Sequence, residues 1–545
     1  MGVWAATAGD AGLLRVPPRG EGGRRDRRRV TPLPAPTLDV LTGPTLPDLL
    51  RDAATARADA TYAAAEGTTL SFAGLADAVG DACRGLAALG VRAGDRVAVM
   101  LPNHLDHVAL VHALVAMRAV WVPVNTRLRG EPLAHVLADS DSALLLADER
   151  HRAEVESLRR SDLPRTVWHE TGTPVPWRPY VSGAGGGESP AGPGGDDVVS
   201  IMYTSGTTGP AKGVQVTDRM LRAAALGAAA VSLPRDGDVY FLWEPLCHVG
   251  GAQVLFLPFV AHVSLAMVER FSASAFWTQV AAAGATHVHH LGGIVPMLLG
   301  RAPSDAERAH RVRVSWGGGM TVDAWTAAEQ RFDLRVHECY GMTEASSIST
   351  ANTAGVADGI GAALPWFDVE LHDDAGRPVP DGAVGEIALR PRVDGLLTPG
   401  YFRNDEATAA SRRGPWWRTG DSARMVDGAL HFVGRLSDSV RHRGENVSAW
   451  EVERVVNTHH AVAESAVVGV PAAEGEEDVK LFVTLARPDE PFDAGALVAW
   501  CRERLAVFQV PRYVAVIAEF ARTPSLRIKK AALPRTTDDS YDARA

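Results

Sequence analysis

Eleven consecutive residues, Tyr203-Thr204-Ser205-Gly206-Thr207-Thr208-Gly209-Pro210-Ala211-Lys212-Gly213, have the composition of a loop that holds an anion. Glycines let backbone N–H groups turn toward one ligand, the threonines and the serine add hydroxyl donors, and Lys212 adds a fixed positive charge. The loop follows the largely apolar run 198–202, as the end of a buried strand would. Phosphate is the ligand this lining suits. The spacing is not that of a Walker A loop, because Lys212 stands three residues after Gly209 and is followed by Gly213 in place of Ser or Thr.

Further clusters follow in order: Pro245-Leu246-Cys247-His248, Trp316-Gly317-Gly318-Gly319, Tyr340-Gly341-Met342-Thr343-Glu344, Trp417-Arg418-Thr419-Gly420-Asp421 and Gly434-Arg435-Leu436-Ser437-Asp438. Near the end come Arg441-His442-Arg443-Gly444-Glu445-Asn446-Val447-Ser448 and Thr523-Pro524-Ser525-Leu526-Arg527-Ile528-Lys529-Lys530. In content and order the set resembles the acyl-adenylate-forming superfamily, which includes acyl- and aryl-CoA synthetases, luciferases and peptide-synthetase adenylation domains. The resemblance spans nearly all of the chain beyond its first 45 residues. It implies a large N-terminal α/β domain and a small mobile α+β C-terminal domain.

The resemblance also implies roles. Thr204, Ser205, Gly206, Thr207, Thr208, Gly209 and Lys212 would form the phosphate loop, and Gly317, Gly318 and Gly319 the adenine turn. Tyr340 would stack on adenine, Thr343 meet the α-phosphate, and Glu344, with Thr204, bind Mg2+. Those residue types suit the tasks: an aromatic face for a base, a hydroxyl for a phosphate oxygen, a hard carboxylate for a hard cation. Asp421 would accept from both ribose hydroxyls and Arg435 would contact ribose, with Ser437 at the hinge position. His248 would lie near the substrate carboxylate, and the 441–448 segment would face the site in a second, thioester-forming conformation.

One position departs from the pattern. Where the family usually has Gly-Lys in its last motif, this chain has Leu526-Arg527. Arg527 keeps the charge that would bridge the acyl carboxylate and the α-phosphate, but its planar fork cannot act as a compact point charge. Lys529 or Lys530 would replace it only if the last strand shifted register.

The implied chemistry is ATP-dependent. A small or aromatic carboxylic acid attacks the α-phosphorus, pyrophosphate leaves, and the acyl group passes to the thiol of CoA or of a carrier-protein phosphopantetheine. Trp325, Gln330-Arg331-Phe332 and Arg443-Gly444-Glu445-Asn446 look most like ligases of the carnitine and crotonobetaine type. Acyl specificity is expected from 240–260, 287–300 and 340–350, where Trp243, Glu244, His287, His289 and His290 disfavour a long alkyl chain. Other readings share the same residues: activation of an unusual small acid such as nitrite for diazotisation of an arylamine, a luciferase-like oxygenase, or a degenerate nucleotide-binding homologue.

The elements that must position these motifs read as α/β with a mostly parallel sheet. Apolar Phe72, Leu75, Val79, Cys83, Leu86 and Leu89 step at helical spacing and stop at Gly90. Strand-like runs follow at 96–101, 120–124 and 143–147, with a helix at 105–117. Residues 183–195 read as a flexible surface loop, and 254–268 as buried core. Past Gly434 the texture changes to short strands at 463–468, 479–485 and 513–517 with a helix at 496–505. The expected division is a disordered extension over 1–45, an AMP-binding domain over 46–433, a mobile domain over 434–534 and a frayed tail over 535–545.

Bulk composition sets the outer limits. With 545 residues and 46% hydrophobic content, more than one core is expected. A net charge of -10 gives no general attraction to polyanions, so neither nucleic acid nor an acidic membrane is an expected partner. No apolar run reaches bilayer length, and the Arg24–Arg29 region lacks the apolar segment of an export signal. Cys83, Cys247, Cys339 and Cys501 are far apart without CxxC spacing, which fits reduced thiols in the cytoplasm. A homodimer is compatible with the sequence.

Overall fold

The computed structural model describes residues 39–158, 163–169, 192–204, 210–442, 445–472, 477–505, 507–522 and 527–544. Ser205, Gly206, Thr207, Thr208 and Gly209 of the expected phosphate loop lie outside the described residues, as do Arg443, Gly444 and most of 183–195. The described chain divides into two units, one ending its main run at Asp368 and adding Leu389–Arg412, the other built on Val369–Ala388 and Arg413–Ala545.

Among the described residues the first unit has two sheets. In the nine-stranded sheet the order is Ala362–Ala363, Thr350–Asn352, Arg335–Tyr340, Val314–Gly318, His287–Leu291, Val239–Leu242, Ser264–Met267, Thr61–Ala65 and Thr68–Ser71. The strands from Arg335–Tyr340 to Thr61–Ala65 are all parallel. The six-stranded sheet runs Arg165–His169, Leu144–Asp148, Arg96–Met100, Val120–Pro123, Val198–Thr204, Lys212–Thr217, and only its last pair is antiparallel. Central strands such as Val120–Pro123 and Leu144–Asp148 are buried along their length, as strands of a parallel sheet covered by crossover helices are. The helix Phe72–Ala88 starts at Ser71, whose side chain accepts from Gly74 N, and buries Phe72, Leu75, Val79 and Leu86. Deep in the unit the alanine-rich helix Asp218–Ser232 packs on Val249–Val260, and small side chains let the two come close.

Of the extension expected over 1–45, residues 1–38 lie outside the described residues, and 39–45 are ordered. Asp39–Thr42 is a short helix with Leu41 buried, and Thr45 and Asp48 form a capping box for Leu46–Ala56. The cause is a buried ion pair, Arg222 Nε to Asp218 Oδ1 at 2.7 Å. Its remaining valences need partners, and they find Leu46 N at 2.9 Å from Asp218 and the Val40 carbonyl at Arg222.

The second unit holds a sheet in which Trp416–Val426 pairs with Val384–Pro391 and antiparallel with Ala429–Arg435. The antiparallel hairpin of Trp416–Val426 and Ala429–Arg435 ends beside the division expected near 434. Further on, Val462–Pro471, Glu477–Leu485, Tyr513–Val516 and Tyr541–Asp542 make a four-stranded sheet, with Ser439–His442 and Glu445–Ser448 as a separate hairpin. The 535–545 segment is ordered through Arg544 where a frayed tail was expected. Lys480 is fully buried and donates to the Thr536 carbonyl at 2.7 Å and to Asp539 Oδ1 at 2.6 Å. A buried ammonium demands such acceptors, and the polar composition of the tail supplies them. No helix among the described residues is long and apolar enough to cross a membrane.

Candidate active site

In the first unit the candidate residues cluster at the carboxyl ends of the parallel strands, where open α/β sheets place ligands. Trp243 to His248 follow Val239–Leu242, Gly319 follows Val314–Gly318, and Gly341 to Glu344 follow Arg335–Tyr340. Thr204 and Lys212 are register partners across the antiparallel pair that flanks the expected phosphate loop, and Thr204 Oγ1 lies 3.5 Å from the Lys212 carbonyl. The two ends of that loop are therefore held side by side.

Lys212 Nζ stands 4.9 Å from the centroid of the Tyr401 ring. The Tyr401 hydroxyl donates to Glu344 Oε1 at 2.9 Å, and the Glu344 carbonyl accepts from Thr398 N at 2.8 Å. Burial and the Glu344 carboxylate push the Tyr401 phenol well above its ordinary value, so it stays protonated and can donate. Phe402 N bonds the Gly213 carbonyl at 2.7 Å, which fixes Tyr401 against the lysine strand. Tyr401 was not singled out in the sequence. It is 57 positions from Glu344, and only the fold brings them together.

Thr343 and Glu344 occupy one buried turn of 3-10 helix, Thr343–Ala345. The chain then reverses through Ser346 and Ser347, both left-handed at φ 54° and 70°, a conformation that costs energy in non-glycine residues and gathers at functional sites. The Ser347 hydroxyl donates to Gln253 Oε1 at 2.8 Å on the helix that begins after His248. The reversal brings the Ser347 carbonyl to 1.6 Å from where a Cβ on Gly341 would lie, so no side chain fits there. His248 itself is at the start of the helix Val249–Val260, with Nε2 3.4 Å from Asn125 Nδ2.

The glycine turn is held by a carboxylate the sequence reading also passed over. Glu338 accepts from Gly319 N at 3.1 Å and Met320 N at 2.7 Å. Gly317 has the His290 carbonyl 1.9 Å from its would-be Cβ, which leaves room only for glycine, and the Gly317 carbonyl accepts from Cys339 Sγ at 3.0 Å. Gly318 belongs to the same strand end, and buried Tyr340 closes the neighbouring strand. Beside them Glu244 Oε2 and His289 Nδ1 are 2.5 Å apart and buried, with Trp243 Nε1 donating to the His289 carbonyl at 2.9 Å. Burial pushes the Cys247 thiol up to about 12, so it stays neutral and is no nucleophile at pH 7.

In the second unit the pairing register sets Asp421 opposite Arg435, and their side chains meet at 3.2 Å. Glu386 shapes the approach by accepting from Arg418 Nε at 2.9 Å and Gly420 N at 3.0 Å. Arg527 joins this group. Desolvation and the like charge of Arg435 pull its pKa down, against the opposing pull of Asp421 and Asp438. An Arg522–Ile528 bridge fixes the local register, and Lys530 is committed to Glu453 at 2.7 Å. Register slippage that would bring Lys530 to the Arg527 position would break both contacts.

Among the described residues no group of three or more His, Cys, Asp or Glu is placed to hold a metal. A single buried carboxylate at Glu344 fits a Mg2+ ion that arrives on nucleotide phosphates, since Mg2+ is commonly held by one or two carboxylates plus substrate oxygens.

The family model "AMP-binding enzyme" matches residues 50–402, and "AMP-binding enzyme C-terminal domain" matches 451–527. A crotonobetaine/carnitine–CoA ligase of Shigella dysenteriae is 31% identical over 458 residues, 81% of this chain and 88% of the relative. That of Salmonella paratyphi B is 29% identical over 526 residues, covering 90% and 99%. The solved o-succinylbenzoate coenzyme A synthetase of Bacillus subtilis, in complex with ATP and magnesium ion, superposes with a TM-score of 0.78 at 26% identity, covering 89% of this chain and 98% of that one. The chain belongs to the AMP-binding enzyme family, within the acyl-adenylate-forming superfamily of AMP-forming acyl-CoA ligases.

Proposed function

We propose that this ligase adenylates a small, polar or aromatic carboxylic acid with ATP and transfers the acyl group to CoA in the cytoplasm. The observation that carries the reading is the chain of contacts from Thr204 to Lys212, and from Lys212 through Tyr401 to Glu344, beside the ends of the expected phosphate loop. A cation, a hydroxyl donor and a carboxylate gathered in one place suit a nucleotide's phosphates and their metal ion, and so support the reading.

In the first half-reaction a carboxylate oxygen of the acid attacks the α-phosphorus and the bond to pyrophosphate breaks. Both reactants are anions, so the barrier is largely one of approach. Lys212 and the loop amides draw the phosphates in, Thr343 bonds the α-phosphate, and Arg527 offsets charge on the phosphorane. Mg2+ on Glu344 would neutralise phosphate charge. Tyr340 and the glycine turn hold adenine, Asp421 and Arg435 hold ribose, and His248 orients the acid. In the second half-reaction the thiolate of CoA attacks the acyl carbon, AMP leaves, and the thiol proton passes to solvent. The domain from about residue 434 is the body that moves between the two steps, presenting Arg527 first and the 441–448 segment second.

The buried Glu244–His289 pair supports a short or polar acid, because an alkyl chain packed against it would leave polar atoms unmatched at about 1–3 kcal/mol each. The test is pyrophosphate release from ATP and Mg2+ with crotonobetaine, malonate, o-succinylbenzoate, anthranilate and nitrite, each with and without CoA and with a phosphopantetheinylated carrier protein. Acid-dependent release with a CoA thioester in the mass spectrum is the expected result. Thioester on the carrier alone, release with nitrite alone, or no release from any acid would each replace this reading with another.

A further inference from the structure

A polar network in the second unit joins the C-terminal strand to the 439–448 hairpin. Asp542 accepts from Arg512 through both oxygens, from Nε at 3.2 Å and Nη2 at 3.1 Å. The other guanidinium nitrogen, Nη1, donates to Asp478 Oδ2 at 2.6 Å. Asp478 is buried, and its second oxygen lies 3.5 Å from Arg544 and 3.5 Å from His442 Nδ1. That ring nitrogen also donates to the Glu477 carbonyl at 2.7 Å. His442 closes the strand Ser439–His442, opposite Glu445 at the turn end of the hairpin.

The hairpin is thus anchored in two ways. Val440 and Val447 sink into the core with Val479, Leu481 and Val514 and fix its middle. Its turn end has the Asp478 network, and two of the groups that satisfy that buried carboxylate depend on the last residues of the chain: Arg544 directly, and Arg512 as oriented by Asp542. Removing the Asp542 charge would loosen one end of the hairpin and leave its apolar anchor intact. Lys480, tied to Asp539, is not part of this network, so the tail stays docked.

We infer that Asp542 and Arg512 are positioning residues for thioester formation, in which the C-terminal strand clamps the turn end of the 439–448 hairpin. The inference rests on the reading that this segment faces the site in the second half-reaction. Neither residue touches a reacting atom. They act through Asp478 and His442.

The test compares Asp542→Asn and Asp542→Glu with wild type in the full-length chain, using the panel acid that gives the fastest pyrophosphate release. Acid-dependent pyrophosphate release in a single turnover should stay within about twofold, while thioester formation from preformed acyl-AMP and CoA falls about tenfold in the Asn variant and recovers in the Glu variant. Amide hydrogen exchange of the hairpin should quicken in Asp542→Asn, with the strand Val462–Pro471 unchanged. Equal losses in both half-reactions, or exchange that quickens throughout the unit, would indicate ordinary structural damage and overturn the clamp. An Asn variant indistinguishable from wild type would overturn it too. Failure of the ligase reading shows differently, as a wild-type chain with no acid-dependent pyrophosphate release, and hydrogen exchange alone then decides whether the clamp exists.

Discussion

Tyr401→Phe removes one atom from the Lys212–Tyr401–Glu344 chain and leaves the rest in place. The phenyl ring keeps its position under Lys212, whose Nζ is 4.9 Å from the centroid, so the cation loses little. What disappears is the hydroxyl donor 2.9 Å from a buried carboxylate. Hydrogen bonds to charged acceptors contribute about 1.5–3 kcal/mol. If Glu344 needs that donor to hold its orientation toward MgATP, kcat/KM for MgATP should fall roughly 10- to 150-fold. Tyr401→Ala should lose about 0.5–2 kcal/mol more, because the cation then has no aromatic face. The assay is initial-rate pyrophosphate release against MgATP at saturating acid, with thermal unfolding as a check on the fold. A Phe variant within twofold of wild type at all Mg2+ concentrations would refute the argument that this contact organises the phosphate end of the site.

Arg527→Ala should cut acid-dependent pyrophosphate–ATP exchange by about 10²- to 10³-fold with little change in ATP binding, and Arg527→Lys should retain part of the rate; full activity in the Ala variant would remove the residue from the first half-reaction. Gly317→Ala would set a methyl 1.9 Å from the His290 carbonyl, so AMP binding by calorimetry should be lost together with several degrees of Tm. Acid should unfold the first unit early: burial lowers His107 to about 4, His112 to about 3 and His337 to about 4. These folded values lie below the unfolded value of 6.5, so the stability they contribute is complete above that pH and drains away as pH falls toward 4. Each contributes roughly 3 kcal/mol over that window, enough together to consume most of a typical stability, and urea midpoints that stay flat from pH 7 to pH 4.5 would contradict it.

The elements were legible wherever burial is one-sided or complete. Helical spacing from Phe72 to Leu89 and the apolar runs near 96, 120 and 143 correspond to the helix Phe72–Ala88 and three parallel strands, because periodicity reports directly on which side chains leave water. The family and the mixed α/β architecture were legible for another reason: the motifs have the residue types and the order of the AMP-binding enzymes whose family model matches the chain. Tyr401 and Glu338 were not legible. Each matters only through a contact, to Glu344 and to Gly319 and Met320, and nothing local in the sequence marks them. The ordered tail escaped for a similar reason, since its polar residues resemble a frayed end until buried Lys480 is seen to need them. The helix Asp39–Thr42 was hidden because its partners, Asp218 and Arg222, lie far along the chain.

That last contact bears on how the protein is made. The amide of Leu46 finds its acceptor 172 residues downstream, and the Val40 carbonyl its donor 182 residues downstream. A ribosome adding roughly 5–20 residues per second needs about 10–35 s to bridge that interval. Throughout that time the helix Asp39–Thr42 lacks the helix Asp218–Ser232 on which it packs. That short helix must wait for the later one to emerge, so buried Leu41 gains its native cover only once nearly half of the chain has been made.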